Sequence, residues 1–309
     1  MLKLPTYALI TPAHNEADFI ERTIRSVVAQ RIRPSRWIIV SDGSTDGTDD
    51  IVQKYVAQYD WIELIRRPNS VERHFAKKTA AFNAGYERLK LVAYEVIGNL
   101  DADISFDDEH FFEFLMSKFA ENSRLGVAGT GYWEGEVLYP YRFTSLEDVA
   151  GACQLFRREC FEVIGGYPPL RSGGIDVVAV FCAQAQGWQT RTFTEKTFVH
   201  HRVVGTAQRI GTWRRILRNG MKDYVLGSHP AWELLRSCYQ MKNEPYVVGG
   251  VLLLAGYVWA MLRRVEKSIP QELMRVRRKG QMERLKEILR RMLFMLPTSQ
   301  PQNPLQEAK

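Results

Sequence analysis

The sequence is short of several features that would class it at once. It carries four cysteines in 309 residues, Cys153, Cys160, Cys182 and Cys238. None forms a Cys-x-x-Cys pair or a metal-ligand spacing, which argues against a cysteine zinc site or a disulfide framework and predicts reduced, buried thiols. No internal repeat or low-complexity tract is present. The N-terminus, "MLKLPTYALITP", has an apolar run broken by two prolines and no small-residue cleavage pattern, so no signal peptide is expected. Residues 246–262 are free of charge, but these 17 fall short of the roughly 20 that a spanning helix needs. No recognisable nucleic-acid motif occurs, and no nucleic-acid partner is expected.

The composition, 45% hydrophobic and 25% charged, is that of a globular protein with ample core. The net charge of +7 is concentrated at one end: from Arg263 onward there are 12 Lys and Arg against 5 Asp and Glu. Such a tail points to an anionic membrane surface, nucleic acid or solubility, and the adjoining apolar run favours the membrane.

The first hundred residues alternate between strand-like and helix-like segments. "YALITPA", "WIIVSDGS", "WIELIRR" and "YEVIGNL" read as strands. "EADFIERTIRSVVAQ", "TDGTDDIVQKYVAQY" and "HFAKKTAAFNAGYERLK" carry apolar residues at helical intervals. This alternation predicts an α/β fold with a mostly parallel, doubly wound sheet, whose ligands bind beyond the carboxyl ends of the strands. The clusters "AHNE", "DGSTDG" and "DAD" all fall at those ends. From residue 126 to 201 the pattern is less regular, with a candidate strand "CQLFRREC", a helix-like "IDVVAVFCAQAQG" and a strand "TRTFTE". After Thr212 strands cease. The expected organisation is a catalytic domain over 1–212 and a helical, basic region over 213–309.

Asp101 and Asp103 end the apolar run "VIGNL", where an uncompensated buried charge would be costly. The pair suits a hard divalent cation, Mg2+ or Mn2+, that keeps positions open for phosphate; the alternative is a turn or a cap for a helix starting near Asp107. Asp42 could accept a hydrogen bond from a base or ribose, with Gly43 letting the chain turn closely; the alternative is an N-cap through Ser44 or Thr45. Glu16 follows the first strand, with an ordinary place in a first helical turn as its alternative.

Taken in order, "ITPAHNEADFIERTIRSVVAQ", "WIIVSDGSTDGT", "FNAGYE" and "NLDAD" resemble the nucleotide-sugar half of family 2 glycosyltransferases with a GT-A fold. "GGIDVVAVFCAQAQGW" is similar to that family's acidic catalytic segment, and "FVHHRVVGTA" to the closing motif of its bacterial and archaeal members. The resemblance covers residues 6 to about 201. It implies an inverting, metal-dependent glycosyltransferase that moves a sugar from a nucleotide-diphosphate donor, UDP favoured, to a hydroxyl. Glu16 and Asp42 would hold base and ribose, with Pro12 and Ala13 lining the pocket and Asn83 and Gly85 near it. Asp101 and Asp103 would hold the metal and the sugar diphosphate. Lys77, Lys78 or Arg73 would meet phosphate, or else lie on a solvated helix face.

Asp176 is the candidate general base, since an acceptor hydroxyl needs a carboxylate within about 3 Å to take its proton. The family commonly has an acid pair here; Ile175 stands in place of the first, and a helix cap is the alternative for Asp176. His200 would complete the metal shell, or be a packed strand-end histidine. Trp133 and Glu134 are candidate acceptor contacts. One crossing by residues 246–262 would export the basic tail, against the positive-inside tendency. A peripheral or monotopic seat on the cytoplasmic face is therefore expected, with burial in protein or in a homo-oligomer as the alternative. That location would suit a lipid-linked or cell-surface glycan acceptor. Two competing readings are a nucleotidyltransferase and a non-catalytic membrane-associated binding protein. The first would need a glycine-rich, basic loop where this chain has "PAHNEAD"; the second leaves the acidic clusters unexplained.

Overall fold

The computed structural model describes residues 3–68, 76–138, 145–170, 173–202 and 211–294. In chain order the elements are β1 (Tyr7–Ala13), α1 (Ile20–Val28), β2 (Arg36–Asp42), α2 (Thr48–Val56), β3 (Ile62–Arg67), α3 (Ala76–Leu89), β4 (Val96–Leu100) and β5 (Ile104–Ser105). There follow α4 (Phe111–Glu121), β6 (Leu125–Glu134), β7 (Val137–Leu138), β8 (Cys153–Arg157), α5 (Arg158–Val163), α6 (Ile175–Ala185) and β9 (Gln189–His200). The chain then continues only in helices: α7 (Thr212–Val225), α8 (Pro230–Gln240), α9 (Val248–Leu262) and α10 (Gln271–Phe294).

The strands form one sheet in the order β3-β2-β1-β4-β8-β6-β9-β5, with β7 beside β6. β1, β2 and β4 are buried almost throughout, as continuous apolar strands covered on both faces must be. One face packs Leu9, Trp37, Ile39 and Leu100 against α1 and α4. The other packs Ile10, Ile38 and Val40 against α3, α5 and α6. α1 buries Ile20, Thr23, Ile24 and Val27, one stripe of a helix. α3 rests directly on the strands because Gly85 has no side chain: a Cβ there would stand 2.7 Å from Ile10 Cγ2.

The parallel expectation holds for β1 to β4. The second half is mixed: β8 is antiparallel to both β4 and β6, β6 runs parallel to β9, and β9 is antiparallel to β5. That last pairing matters for function. It sets Ile104 opposite His200 and so brings the far end of β9 to the segment that follows β4.

The helices after the sheet are seated on α6 rather than detached. Leu226 and Ile269 pack against Val178 of α6, with Leu273 and Met274 of α10 alongside. α7 and α9 meet backbone to backbone: a Cβ on Gly220 would lie 1.9 Å from the carbonyl oxygen of Leu253. One face of α9 is thus buried in protein, while Val248, Val251, Trp259 and Leu262 on the other are exposed. Among the described residues no helix is long and apolar enough to cross a membrane. The expectation of four buried thiols needs correction. Cys153 and Cys160 are buried, Cys182 is half-buried and Cys238 is exposed on α8, whose outer face points to solvent.

Candidate active site

The loops at the carboxyl ends of β1 and β2 are bonded to each other, and the loop after β4 is bonded to α1. After β1, Asn15 is a non-glycine in the left-handed region, with φ 55°. It is held there by two hydrogen bonds: its N–H donates to Ser44 Oγ (3.1 Å), and its Oδ1 accepts from the Thr45 N–H (2.8 Å). Glu16 N–H donates to Thr48 Oγ1 at 2.8 Å and Ala17 N–H to Asp46 at 3.0 Å. His14 Nδ1 donates to the carbonyl of Asp42 at 2.7 Å. The backbone after Pro12 and Ala13 is thereby fixed against the loop after β2.

The expected capping roles fall elsewhere. Asp46 caps α2 through the Thr48 N–H, and Gly47 occupies its N-cap, so Asp42 is released from capping. The Asp42 carboxylate, buried at the strand end, instead pairs with Arg67 Nη1 at 2.9 Å. Asp101 and Asp103 do not cap a helix either, because α4 begins only at Phe111 with His110 at its N-cap. Thr23 of α1 fixes their loop from below, donating its hydroxyl to the carbonyls of Ala102 (2.8 Å) and Ile104 (2.7 Å).

Asp101 accepts from Lys78 Nζ at 2.6 Å and from Asn99 Nδ2 at 3.1 Å. Asp103 faces His200 Nε2 at 3.6 Å and Arg202 Nε at 3.8 Å. The ligand atoms of Asp101, Asp103 and His200 lie within 4.8 Å of one another. His200 Nδ1 bonds the carbonyl of Arg202; a carbonyl only accepts, so Nδ1 carries the proton and Nε2 keeps its lone pair toward the carboxylates. Burial and the adjacent Asp101 push the Asp103 carboxyl up, against the offsetting pull of His200, Arg202 and Lys78. Two carboxylates and one imidazole lone pair fit a divalent cation of the Mg2+ or Mn2+ kind, which would relieve that repulsion.

Glu16 is tied to this group through Arg202, whose Nη2 donates to Glu16 Oε2 while its Nε faces Asp103. The Arg202 guanidinium also lies over the Phe19 ring, 5.2 Å from its centre. Burial first, then Asp103, lift the Glu16 carboxyl to about 7, with Arg202 holding it back. No signal short of the fold identified Arg202. It follows the His-His pair in "FVHHR", but its partner Glu16 is 186 residues away. Asn99 was equally hidden inside the apolar "VIGNL".

Asp176 sits in the first turn of α6, whose N-cap is Gly174, so it is not the cap. Its carboxylate lies against Gly151, where a Cβ would stand 2.6 Å from Asp176 Oδ2. The carbonyl of Gly151 accepts from Asn99 Nδ2 at 2.5 Å, so Asn99 links the Asp176 wall to Asp101.

Other expected residues are spread wider. Lys77 and Lys78 begin α3, and Lys78 is the one joined to Asp101. Gly85 serves helix packing, and Asn83 is exposed on α3. Trp133 and Glu134 are separated by strand alternation. Glu134 lies opposite His200, whereas Trp133 donates its indole N–H to Thr197 Oγ1 at 3.2 Å. Arg73 and residues 203–207 of the closing motif lie outside the described residues.

Comparison with known proteins bears on the family and the fold. A teichuronic acid biosynthesis glycosyltransferase of Bacillus subtilis, itself a putative assignment, is 49% identical over 127 residues, 40% of this chain and 47% of that protein. The aligned stretches span less than half the length of the curated relatives. A mannosyltransferase from Pyrobaculum calidifontis, solved with GDP-Man and Mn2+, superposes with a TM-score of 0.57 at 16% identity, covering 95% of this chain and 84% of that one. GalNAc-T7 with UDP, GalNAc and Mn2+ gives a TM-score of 0.59 at 14% identity, covering 96% of this chain and 58% of that one. At such identities these two establish the GT-A fold alone. The family model for glycosyl transferase family 2 matches residues 8–174, more than half of the chain, and the protein therefore belongs to that family of glycosyltransferases.

Proposed function

We propose that the protein is an inverting, metal-dependent glycosyltransferase that uses a nucleotide-diphosphate sugar and a membrane-anchored or cell-surface glycan acceptor. The observation that carries this reading is the convergence of Asp101, Asp103 and His200 on one point joined to Glu16 through Arg202. Glu16 and Asp42 hold the nucleoside, beside the backbone of Pro12 and Ala13. Asp101, Asp103 and His200 hold the cation, which when bound supplies charge neutralisation to the departing diphosphate. Lys78 adds a positive charge at the same place.

Asp176 accepts the proton of the acceptor hydroxyl. The hydroxyl oxygen forms the new bond to the anomeric carbon as the bond to the diphosphate oxygen breaks, which inverts the configuration. In this reading Glu134, opposite His200, meets the acceptor, and Trp133, on the other face of β6, contributes less. UDP is the favoured nucleotide, although the structural neighbours include one with GDP-Man and one with UDP. The relative named for teichuronic acid biosynthesis supports a cell-surface polymer as the destination.

The catalytic unit over 1–212 is proposed to sit on the cytoplasmic face of the membrane through the helices of 213–309. Support comes from the exposed face of α9, apolar at Val248, Val251, Ala255, Trp259 and Leu262, with Arg263 and Arg264 at its end. Anionic lipid would meet the basic residues while the apolar face enters the headgroup boundary. A panel of nucleotide sugars, offered with Mn2+, tests the core of the reading. One of them should bind and be slowly hydrolysed, and Asp103→Ala should abolish the metal-dependent signal. An undiminished signal in Asp103→Ala rejects the metal assignment.

A further inference from the structure

α7 is divided lengthwise. Ile216 and Gly220 are buried on the side toward α9, where a Cβ on Gly256 would in turn lie 2.0 Å from the carbonyl of Leu217. Arg214, Arg218 and Lys222 recur at intervals of four, one above another on the opposite side. Arg214 and Arg218 are exposed, whereas Lys222 is half-buried. Its aliphatic stem closes on the start of α6: Cε lies 3.1 Å from where a Cβ on Gly174 would stand, two residues before Asp176. The ridge therefore ends at the N-cap of α6, two residues along the chain from the candidate base.

Its other end is apolar. Trp213 is 59% exposed and lines a recess with Thr212, Glu244, Pro245 and Tyr246. Tyr246 is 63% exposed and leads onto the exposed apolar face of α9. From Trp213 to Lys222 the helix rises about 13 Å. Along α7 the chain thus offers an apolar surface, then three cations, then a carboxylate suited to taking a hydroxyl proton.

We propose that this ridge binds the phosphate of an amphiphilic acceptor. The apolar tail lies on Trp213, Tyr246 and the α9 face, the phosphate or diphosphate lies on Arg214, Arg218 and Lys222, and the sugar hydroxyl reaches Asp176. Two guanidinium forks and one ammonium match the charge and the several oxygens of a diphosphate better than a single carboxylate. The inference rests on the glycosyltransferase reading of Asp176 and names the class of acceptor that reading leaves open.

The test uses the full chain with its donor site filled by UDP and Mn2+, and farnesyl diphosphate as the probe. Saturable binding is expected by calorimetry, weakened at least tenfold in Arg214→Gln/Arg218→Gln/Lys222→Gln, with a shallower salt dependence. Farnesol should bind weakly and equally to both proteins. Arg214→Gln/Lys222→Gln provides a second variant should the triple one lose its thermal transition, and should weaken binding severalfold. No binding of farnesyl diphosphate, or binding unchanged in the variants, overturns the proposal. So does a variant that loses only its attachment to phosphatidylglycerol vesicles, which would make the ridge a membrane contact. Failure of UDP and Mn2+ to bind in the unaltered protein would instead sink the reading on which the inference rests.

Discussion

Both halves of the protein bury acids beside cations, but among the described residues the helical half also buries one that has no hydrogen-bond partner. At the sheet's ligand edge the carboxylates assigned to donor and metal each have a cation within reach: Asp42 has Arg67, Asp101 has Lys78, and Arg202 serves both Glu16 and Asp103. In the helical region Glu233 of α8 is fully buried, and among the described residues neither of its carboxylate oxygens has a hydrogen-bond partner. Arg236 and Arg277 lie nearby but are taken by Asp223. Burial and the Asp223 charge push the Glu233 carboxyl to about 8, so it is held protonated at neutral pH. Partnered acids can exchange their cations for a metal or a ligand. A neutral buried acid acts as a packed polar side chain.

The contrast between the two can be broken at several places. The largest effect is expected at Asp176. Asp176→Asn should keep the donor affinity and lose about 10³-fold in transfer, read as kcat for sugar transfer beside a donor titration. Lost donor binding in that variant would mark Asp176 as structural. Next comes Arg202, which spans two acids. Arg202→Gln should raise the donor KM about tenfold with a smaller change in kcat, and Arg202→Lys should recover only part of it, since an ammonium cannot fork between two carboxylates. Full recovery by lysine would remove the bridging role.

The smallest effect lies in the scaffold. The Glu233 carboxyl is raised in the fold, so the folded state holds a proton that the unfolded chain releases above pH 4.5, the ordinary value. Stability should therefore fall as pH rises from there through about 8. Glu233→Gln should melt with the unaltered protein at pH 5 and about 5 °C above it at pH 9. Equal melting at both values would show that Glu233 is ionised in the fold.

Much of the fold was legible where local chemistry decides it. Parallel strands buried on both faces must be continuous apolar runs, and β1, β2 and β4 stand out in the sequence for that reason. β6 received no assignment from the sequence, where Gly126, Gly129 and Gly131 interrupt its apolar run. Packing explains two of them: a Cβ on Gly126 would lie 2.6 Å from Trp188 Cβ, and one on Gly129 2.6 Å from Val149 Cγ1 and 2.9 Å from the Cys153 carbonyl. α8 was passed over although His229 and Pro230 mark its start, His229 accepting from the Ala231 N–H and proline filling the first turn. The acids at the strand ends were visible because charge after an apolar run is conspicuous. Arg67 and Arg202 were not, and Lys78 was expected only at a phosphate, because the three are matched to these acids by the topology that brings β3, α3 and the end of β9 to one edge.

The account stands most directly on the meeting of Asp101, Asp103 and His200. Titrating the protein with Mn2+ in the presence of UDP, followed by the loss of the free-ion electron paramagnetic resonance signal, measures it. One ion should bind per chain, with affinity lowered at least tenfold in His200→Ala and binding lost in Asp103→Ala. Unchanged affinity in both variants would place any metal elsewhere and contradict the account.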